Sequence, residues 1–398
     1  MIIILQRVKE ISKNSENLIY IAFISVFLHY VITALVILTL GIILIANKST
    51  RQQVFSFKGK GWFLAFTGYT CITALYFKNF IGLACGIGFF FIIVISYFVR
   101  ANVTERVYER CLDICCYAAI PLCITTVIEN ALATDSSGCK LWFFNQNYYC
   151  ALLAAIVIIC AYNATSHKGP VLRYYICAAA AGIAMYLGES MFAFVEVFVG
   201  IIVVLILKKK HLLLAAALLA VVACMIIILA VPDIFPRLSE INITSQRRVR
   251  IWNEAMPFIQ ENFLWGHGFL SYYQYAGLNP SLYQTTHTHN FAIESLISFG
   301  VVGSTMLLFF LWSYYRKVTE CKELLRNNSA VTLILTISTA VLVHTMTDLT
   351  LLWVQTGLLY ALILGGVGID EDTLNKRIVA CASLGGASDR KEEENNGK

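Results

Sequence analysis

Apolar runs long enough to cross a bilayer recur along most of this chain, and they restrict its fold more than any other feature does. A membrane-spanning helix needs about 17 to 25 mostly apolar residues. Such runs lie at 61–79, 82–99, 112–132, 148–163, 171–187, 190–207, 211–231, 291–314, 330–347 and 350–368, and a longer one covers 18–46. The longer run fits either one tilted helix or two short crossings. We therefore predict an all-α polytopic membrane protein with about 11–12 transmembrane helices.

The composition agrees with this prediction. Of 398 residues, 58% are hydrophobic and 14% are charged, whereas soluble domains are nearer half apolar and a quarter charged. The net charge of +6 is small and implies no nucleic-acid partner. The initial "MIIIL" is too short and has no basic flank before it, so we expect no cleavable signal peptide. The 13 cysteines are scattered, mostly within apolar runs, which indicates small buried residues and no disulfide framework.

The distribution of lysine and arginine predicts the sidedness of the loops. Short loops rich in these residues stay in the cytoplasm. When the apolar runs alternate across the membrane, the basic loops all fall on one side, at 48–60, 100–110, 168–173, 208–210 and 316–326. The opposite, extracytoplasmic side then receives 134–146 and one long loop, 232–290. Arg7, Lys9 and Lys13 join the cytoplasmic side only if 18–46 crosses twice, which favours twelve spans.

Polar residues collect at the predicted outer ends of the spans, beneath the long loop. They are Lys78, Asn79, Glu129, Asn130, Asn145, Asn147, Glu189, Ser190, His344 and Asp348. Ionisable groups inside a membrane are costly and usually mark a functional cavity. For Lys78 or Glu129 alone, a position at the interface is the simpler interpretation. Glu196, in mid-span seven residues after Glu189, is expected to face the same interior.

The long loop contains a predicted amphipathic helix, which starts near the capping residues Thr244 and Ser245. Its apolar positions recur at helical spacing, and one face should bring together Val249, Trp252, Met256 and Ile259. The sequence "GHG" at 266–268 permits a tight turn after the helix. We expect the apolar face to point inward, toward the membrane spans.

Three arginines lie on this helix. Arg248 is at the edge of the apolar face, one turn before Trp252, whereas Arg247 and Arg250 point more to the opposite side. A guanidinium that points inward can hold phosphate oxygens through two hydrogen bonds. The alternative is an interfacial helix whose arginines contact lipid headgroups.

Two histidines lie at the mouth of the following span, in "THTHNFAIESLISFGVVG" at 286–303. Either Thr286 or Thr288 is expected to cap the helix, which places His289 at its N-terminus. The positive end of the helix dipole disfavours imidazolium there and leaves a neutral ring that can accept a proton. His287 is expected to point elsewhere. The alternative is a capping or interfacial histidine without chemistry.

Small residues follow in the same span. Gly300 and Gly303, with Ser304, form a face that allows another helix to approach closely. We therefore expect these glycines to serve packing.

The order of these motifs resembles the O-antigen ligases and the related O-antigen or capsule polymerases. Their shared region has an Arg-x-x-aliphatic-Trp helix in a long extracytoplasmic loop, then Gly-x-Gly, His-Asn and Gly-x-x-Gly. Here these elements are Arg248 to Trp252, Gly266 to Gly268, His289-Asn290, and Gly300 with Gly303. The stretch "FFNQNYYCALLA" is similar to the Asn-x-Asn stretch of the family and supplies Asn145 and Asn147. The resemblance covers about 240–305, more loosely back to 140.

The resemblance implies transfer of glycan from an undecaprenyl-diphosphate-linked saccharide to an acceptor hydroxyl, at the outer face of the bacterial cytoplasmic membrane. Positive charge on the leaving diphosphate would come from arginine, with neither metal nor cofactor. The catalytic residues would be His289 and Arg248. The substrate-binding residues would be Arg247, Arg250, Asn145, Asn147, Glu189, His344 and Asp348. The expected partners are the donor, a glycan or lipid acceptor, and membrane lipids.

One position departs from the family pattern. Many members carry Ser-Arg-Gly at the opening of an earlier span, and that arginine is thought to bind diphosphate. This chain has "GESMFAF", with Met191 at the arginine position. A second phosphate contact would then have to come from Arg247, Arg250 or Lys78.

The predicted organisation has three parts. N-terminal transmembrane helices occupy 1–139, a catalytic membrane region occupies 140–368 and includes the loop 232–290, and a charged cytoplasmic tail at 369–398 is expected to be disordered. Within the superfamily we favour a polymerase, with a ligase as the alternative.

Two other classes of protein stay open. A transporter or flippase would also contain polar residues within a bundle, but the sequence shows no internal repeat. A zinc enzyme would use His267, His287 and His289, but no spacing such as H-E-x-x-H is present.

Overall fold

The protein is all-helical in the part of the chain that the structure describes. This computed structural model describes residues 14–133, 138–166, 170–231, 241–321 and 329–374. Within those ranges it has 15 complete α-helices, one short 3-10 helix (Thr350–Leu352) and no strand, and residues 367–374 are helical as well. The α-helices are α1 (Ser15–Ser25), α2 (Tyr30–Ala46), α3 (Lys48–Val54), α4 (Lys60–Tyr76), α5 (Phe80–Asn102), α6 (Glu105–Leu132), α7 (Gln146–Ser166), α8 (Leu172–Leu187), α9 (Met191–Leu207), α10 (His211–Ala230), α11 (Ile241–Glu261), α12 (Ser271–Leu278), α13 (Phe291–Glu320), α14 (Ala330–Thr345) and α15 (Val354–Gly365).

Several helices have the length and hydropathy of membrane spans, which confirms the polytopic membrane class. Among the described residues, α5, α6, α7, α10 and α13 qualify, and the pair α2–α3, bent by 102°, makes a sixth if it counts as one span. Helices α8, α9 and α14 are apolar but have only 16 or 17 residues. The prediction of 11–12 transmembrane helices counts these shorter helices as full crossings. A helix needs about 20 residues to cross a hydrocarbon core of about 30 Å, so these helices are shorter than a full crossing requires.

The long apolar run 18–46 is broken into two helices. Helix α1 ends at Ser25, and α2 starts after His29, whose ring nitrogen accepts a hydrogen bond from the backbone N–H of Val31. The 11 residues of α1 rise by about 16 Å, roughly half of the hydrocarbon core. The basic residues at 7, 9 and 13 lie outside the described part of the chain.

The centre of the bundle is α7, and its periphery includes α10. Helix α7 packs against α6, α8, α9, α14 and α15, and 78% of its apolar stretch is buried. Helix α10 packs against α9 and has none of its apolar stretch buried. Because α9 also packs against α14, the first turn of α7, the start of α9 and the end of α14 become neighbours.

The amphipathic helix α11 buries an apolar face that overlaps only in part, at Trp252 and Ile259, with the one predicted. Ile251, Ala255 and Ile259 are buried, and they pack against α12 and α13. Of the predicted inward set, Val249 and Met256 are 50% and 40% exposed. The helix carries two adjacent apolar stripes, and the contacts with α12 and α13 determine which of them is covered.

A break in α13 receives the glycine-rich turn that follows α11. Gly300 has φ 59° and ψ −170°, which interrupts the helix. Across the break, Val301 N–H donates to Phe263 O at 3.0 Å and Gly268 N–H donates to Ser298 O at 2.7 Å. The segment that packs closely against Gly300 is therefore the glycine-rich turn, and not another helix as the sequence predicted. At Gly303 the predicted helix contact is confirmed, because a Cβ there would lie 2.5 Å from the Tyr69 ring of α4.

We expect Gly300→Ala to destabilise the fold. A Cβ would lie 2.4 Å from Leu264 O, and alanine in this backbone region costs about 1–3 kcal/mol. The melting temperature of the purified protein in detergent, followed by tryptophan fluorescence, should fall by several degrees. The matched control is Gly277→Ala on α12, where a Cβ has no neighbour within 4 Å and alanine favours the helix. Equal melting temperatures for both variants would contradict the account of the docked turn.

Candidate active site

The loop that leads into α13 is fixed by a cap and by two further hydrogen bonds. Asn290 is the N-cap, and its side-chain oxygen accepts from the backbone N–H groups of Ala292 and Ile293 at 3.0 and 3.1 Å. The predicted cap at Thr286 or Thr288 is therefore wrong, since asparagine next to the first helical turn supplies the acceptor. Thr288 is held on both sides instead. Its N–H donates to Glu294 at 2.9 Å, and its carbonyl accepts from the Trp252 indole at 2.9 Å.

His289 has a left-handed backbone conformation, with φ 55°. This conformation costs a residue with a Cβ about 1–2 kcal/mol, and such strain often lies at functional sites. It persists here because Thr288 and Asn290, on either side, are both held by hydrogen bonds. The backbone thereby determines where the His289 ring points.

The buried carboxylate of Asp348 is the meeting point of the site. Its Oδ1 lies 2.9 Å from His287 Nε2 and 3.1 Å from His289 Nδ1. Asn147, on the first turn of α7, donates from Nδ2 to Oδ2 at 2.7 Å, and Leu349 N–H donates to Oδ1 at 2.8 Å. Three separate segments of the chain thus meet at one carboxylate, which is 2% exposed.

These contacts keep Asp348 ionised. Burial alone would raise the pKa of Asp348, but the hydrogen bonds from His287 and His289 hold that pKa well below its usual range. A carboxylate accepts the Nδ1 proton of His289, which leaves Nε2 as the nitrogen that can take up a proton. Nε2 lies 3.2 Å from the Thr285 hydroxyl, and the His289 side chain is 22% exposed. His289 therefore has the arrangement of an oriented general base.

His287 does not point elsewhere, so that prediction is wrong. Its Nε2 lies next to Asp348 and its Nδ1 is 2.8 Å from the Thr286 hydroxyl, so both nitrogens are engaged. The helix starts only at Phe291, and the left-handed turn at His289 brings the two rings to 4.4 Å between centroids. With a side chain only 4% exposed, His287 is a buried partner of Asp348.

Arg248 points inward, as predicted. Its guanidinium carbon lies 4.5 Å from the centre of the Phe192 ring on α9, next to Met191. Among the described residues, this guanidinium has no ion-pair or hydrogen-bond partner. Burial lowers the pKa of Arg248, and the charge of Asp348 opposes that effect. A half-buried cation that no side chain of the described residues contacts directly through an ion pair is suited to an anionic ligand.

The other two arginines lie outside the group formed by Asp348, His287 and His289. Arg250 forms an ion pair with Glu254 at 2.7 Å and donates to Ser281 O at 3.1 Å, on the exposed side of α11. Arg247 is exposed.

The remaining predicted residues occupy three different places. Asn145 is exposed and accepts from the backbone N–H of Asn147 at 2.7 Å, so it caps α7. Glu189 lies next to Gly138, at the junction of α8 and α9. His344 bonds Glu196 within the bundle, at 2.5 Å. Of the substrate-binding residues proposed from the sequence, Asp348 contacts both histidines and Asn147 contacts Asp348.

His267 lies in a separate aromatic pocket. Its ring stacks on Phe258 at 3.8 Å and contacts Phe77 at 4.5 Å, and its Nδ1 lies 3.3 Å from Ile297 O. Among the described residues, the group that could hold a metal ion is His287, His289 and Asp348, whose ligand atoms lie within 4.8 Å of one another. His267 is therefore not part of the zinc site that the sequence suggested. The positions of His287, His289 and Asp348 are also explained by the hydrogen bonds among them.

Sequence reasoning missed several supporting side chains. Phe192 supports Arg248, Glu294 anchors Thr288, and Tyr148 lies between Trp353 and His287. For Glu294 a signal was available, because it is a charged residue in the first turn of an apolar span. For the aromatic residues no sequence signal distinguishes a site contact from an ordinary core position.

Comparison with known proteins agrees with the resemblance. Residues 176–310 match the family model Wzy_C, described as O-Antigen ligase, which covers about a third of the chain. No curated protein matches the sequence. The matched segment contains Arg248, His287, His289 and Gly300, whereas Asn147 and Asp348 reach the same site from outside it. Residues 176–310 of this multi-pass membrane protein are therefore similar to the O-antigen ligase domain.

Proposed function

We propose that the protein transfers glycan from an undecaprenyl-diphosphate-linked donor to an acceptor hydroxyl, and that it acts as an O-antigen or capsule polymerase. The observation that carries the proposal is the contact of His289 with Asp348, together with an inward-pointing Arg248 on which the charge of Asp348 acts, where residues 176–310 are similar to O-antigen ligases. A base and an anion-binding cation are the two groups that displacement of a diphosphate requires. The alternative within the family is a ligase, which hands the glycan to a lipid core or another terminal acceptor.

His289 acts as the general base in this proposal. The acceptor hydroxyl donates its proton to Nε2, at the position where the Thr285 hydroxyl lies 3.2 Å from that nitrogen. The acceptor oxygen forms a bond to the anomeric carbon of the donor sugar. The bond from that carbon to the diphosphate oxygen breaks, and its electron pair leaves with the diphosphate. Asp348 stabilises the imidazolium that results.

Arg248 holds the leaving diphosphate. Its planar guanidinium presents paired N–H groups that match phosphate oxygens, and the Phe192 ring lies 4.5 Å from its carbon. Arg247, exposed and close to Arg248 in sequence, is better placed for a second phosphate contact than Arg250, which Glu254 already engages. This arrangement would supply the positive charge that the family arginine provides at the position of Met191.

Asp348 serves as a positioning residue in this proposal rather than as a direct ligand of sugar. Both of its oxygens accept from the protein, through His287, His289, Asn147 and Leu349. Asn145 and Glu189, at the junctions next to α7 and α9, would contact the saccharide at the edge of the site.

The site faces outward from the bacterial cytoplasmic membrane in this proposal. The lysine- and arginine-rich loops, including 208–210, would be cytoplasmic. Labelling from outside the cell of a cysteine that replaces the exposed Leu278 tests this orientation. Labelling from the cytoplasmic side alone would reverse it.

We expect Arg248→Lys to impair glycan transfer much more than Arg247→Lys does. Lysine keeps the charge but loses the planar pair of donors, and only Arg248 is directed into the site. The loss of one charged hydrogen bond should reduce kcat/KM by about 10- to 100-fold. Initial rates with a defined undecaprenyl-diphosphate donor give the comparison, and glycan length on gels from a complemented deletion strain confirms it in cells.

Arg247→Lys gives the comparison, on the same helix and with the same change in side chain, because an exposed Arg247 would act on phosphate mainly through its charge, which lysine keeps. Similar, mild effects at both positions would assign these arginines to lipid headgroups instead.

We expect His289→Ala to abolish transfer without lowering the amount of folded protein. Loss of a general base lowers the rate by about 100- to 10,000-fold. His287→Ala removes one hydrogen bond to Asp348 and should lower the rate by about tenfold. Both rates are measured on purified protein whose elution profile matches that of the wild type.

The same assay with a chelator separates the base from a metal centre. The wild-type rate should not change in EDTA. If EDTA abolishes the rate, zinc restores it and the two histidines prove equally essential, the cluster of His287, His289 and Asp348 is a metal site and the base mechanism is wrong.

A further inference from the structure

A second buried carboxylate–imidazole pair lies one helical turn from Asp348. Nδ1 of His344 on α14 is 2.5 Å from Glu196 Oε2 on α9. The two side chains are 0% and 2% exposed. The other ring nitrogen, Nε2 of His344, has no hydrogen-bond partner in the described part of the chain. Glu196 is therefore the polar group that fixes the orientation of this ring.

On α9, Glu196 of this pair lies close to the residue that contacts Arg248. Glu196 follows Phe192 by four residues, so the two side chains lie on the same face of the helix, one turn apart. Phe192 is the residue over which the Arg248 guanidinium lies, at 4.5 Å. The position of Glu196 is thus linked through one helical turn to the anion-binding group.

Through α14, His344 of this pair is connected to Asp348 and so to His289. The backbone N–H of Asp348 donates to the carbonyl of His344 at 2.9 Å. Asp348 then contacts His289 at 3.1 Å. Arg248 and His289 are thus linked across α9 and α14 by three hydrogen bonds, one ring contact and one helical turn of α9.

We infer that Glu196 and His344 are positioning residues that keep α9 and α14 in register, so that Arg248 and His289 stay at the separation that the transfer requires. The inference rests on the proposed function and adds two residues that contact neither donor nor acceptor. Apolar side chains supply much of the contact between the two helices, and such contacts have no preferred direction. A buried hydrogen bond is directional, and in the membrane interior its loss leaves a polar group without water.

The substitutions that test this role are Glu196→Leu and His344→Leu, which break the hydrogen bond, and Glu196→Gln, which retains an acceptor. A displacement of about 1 Å between reacting groups lowers the rate by about 100-fold. In nanodiscs, with an undecaprenyl-diphosphate donor, both leucine variants should therefore lose about 10- to 100-fold in kcat. KM for the donor should stay within about twofold, because Arg248 still binds it. Glu196→Gln should keep most of the activity.

Thr336→Val is the matched control. Thr336 is buried on α14 and its hydroxyl donates within its own helix, to Thr332 O at 2.7 Å. This variant should keep the wild-type kcat. An equal loss in Glu196→Gln and Glu196→Leu would overturn the hydrogen bond as the cause.

Hydrogen–deuterium exchange gives a second readout that does not depend on catalysis. The leucine variants should exchange faster over residues 346–353, the segment that carries Asp348, and Thr336→Val should not. Unchanged exchange together with unchanged kcat would overturn the positioning role. Faster exchange with a normal kcat would also overturn it, and would show in addition that the proposed function of Asp348 and His289 fails. Faster exchange with a reduced kcat supports both.

Discussion

Four hydrogen-bond donors converge on the carboxylate of Asp348, and the geometry of the candidate site depends on them. A buried charge without partners would be strongly destabilising, so this carboxylate requires its neighbours to stay in place. His287 and His289 come from the loop before α13, Asn147 comes from the start of α7, and Leu349 is the next residue in the chain. One ionised group therefore joins three segments that are far apart in sequence, and in doing so it determines which nitrogen of His289 can accept a proton.

The sequence motifs within residues 176–310, the segment that is similar to O-antigen ligases, pack against one another in this structure. The glycine-rich turn docks into the break of α13 at Gly300, and Trp252 of α11 holds the carbonyl of Thr288. The first contact joins α13 to the segment that follows α11, and the second acts directly on the short loop that carries His289. The strained backbone of His289 is thus maintained by residues on either side of it in sequence and by a helix that also presents Arg248. Motifs that are tens of residues apart contribute to the same side-chain placement.

The class of fold could be predicted from the sequence because the length of an apolar run is itself a physical requirement of the bilayer. The inward direction of Arg248 also followed from helical spacing, and the His289-Asn290 pair was recognised from its position. The buried face of α11 could not be predicted, because tertiary contacts choose between two adjacent apolar stripes. The position of His287 depended on a left-handed residue that no sequence pattern requires. The contact between His289 and Asp348 joins positions 59 residues apart. The sequence indicated only that both residues lie near the outer ends of membrane spans.

The central claim is that Asp348 orients His289 for glycan transfer. Its most direct test is the initial rate of transfer by Asp348→Asn, measured on purified protein with an undecaprenyl-diphosphate-linked donor. An asparagine amide can donate to the ring nitrogen and so favour the wrong tautomer of His289, which should lower the rate by at least about 100-fold at an unchanged KM for the donor. A rate within about twofold of the wild type would contradict the account.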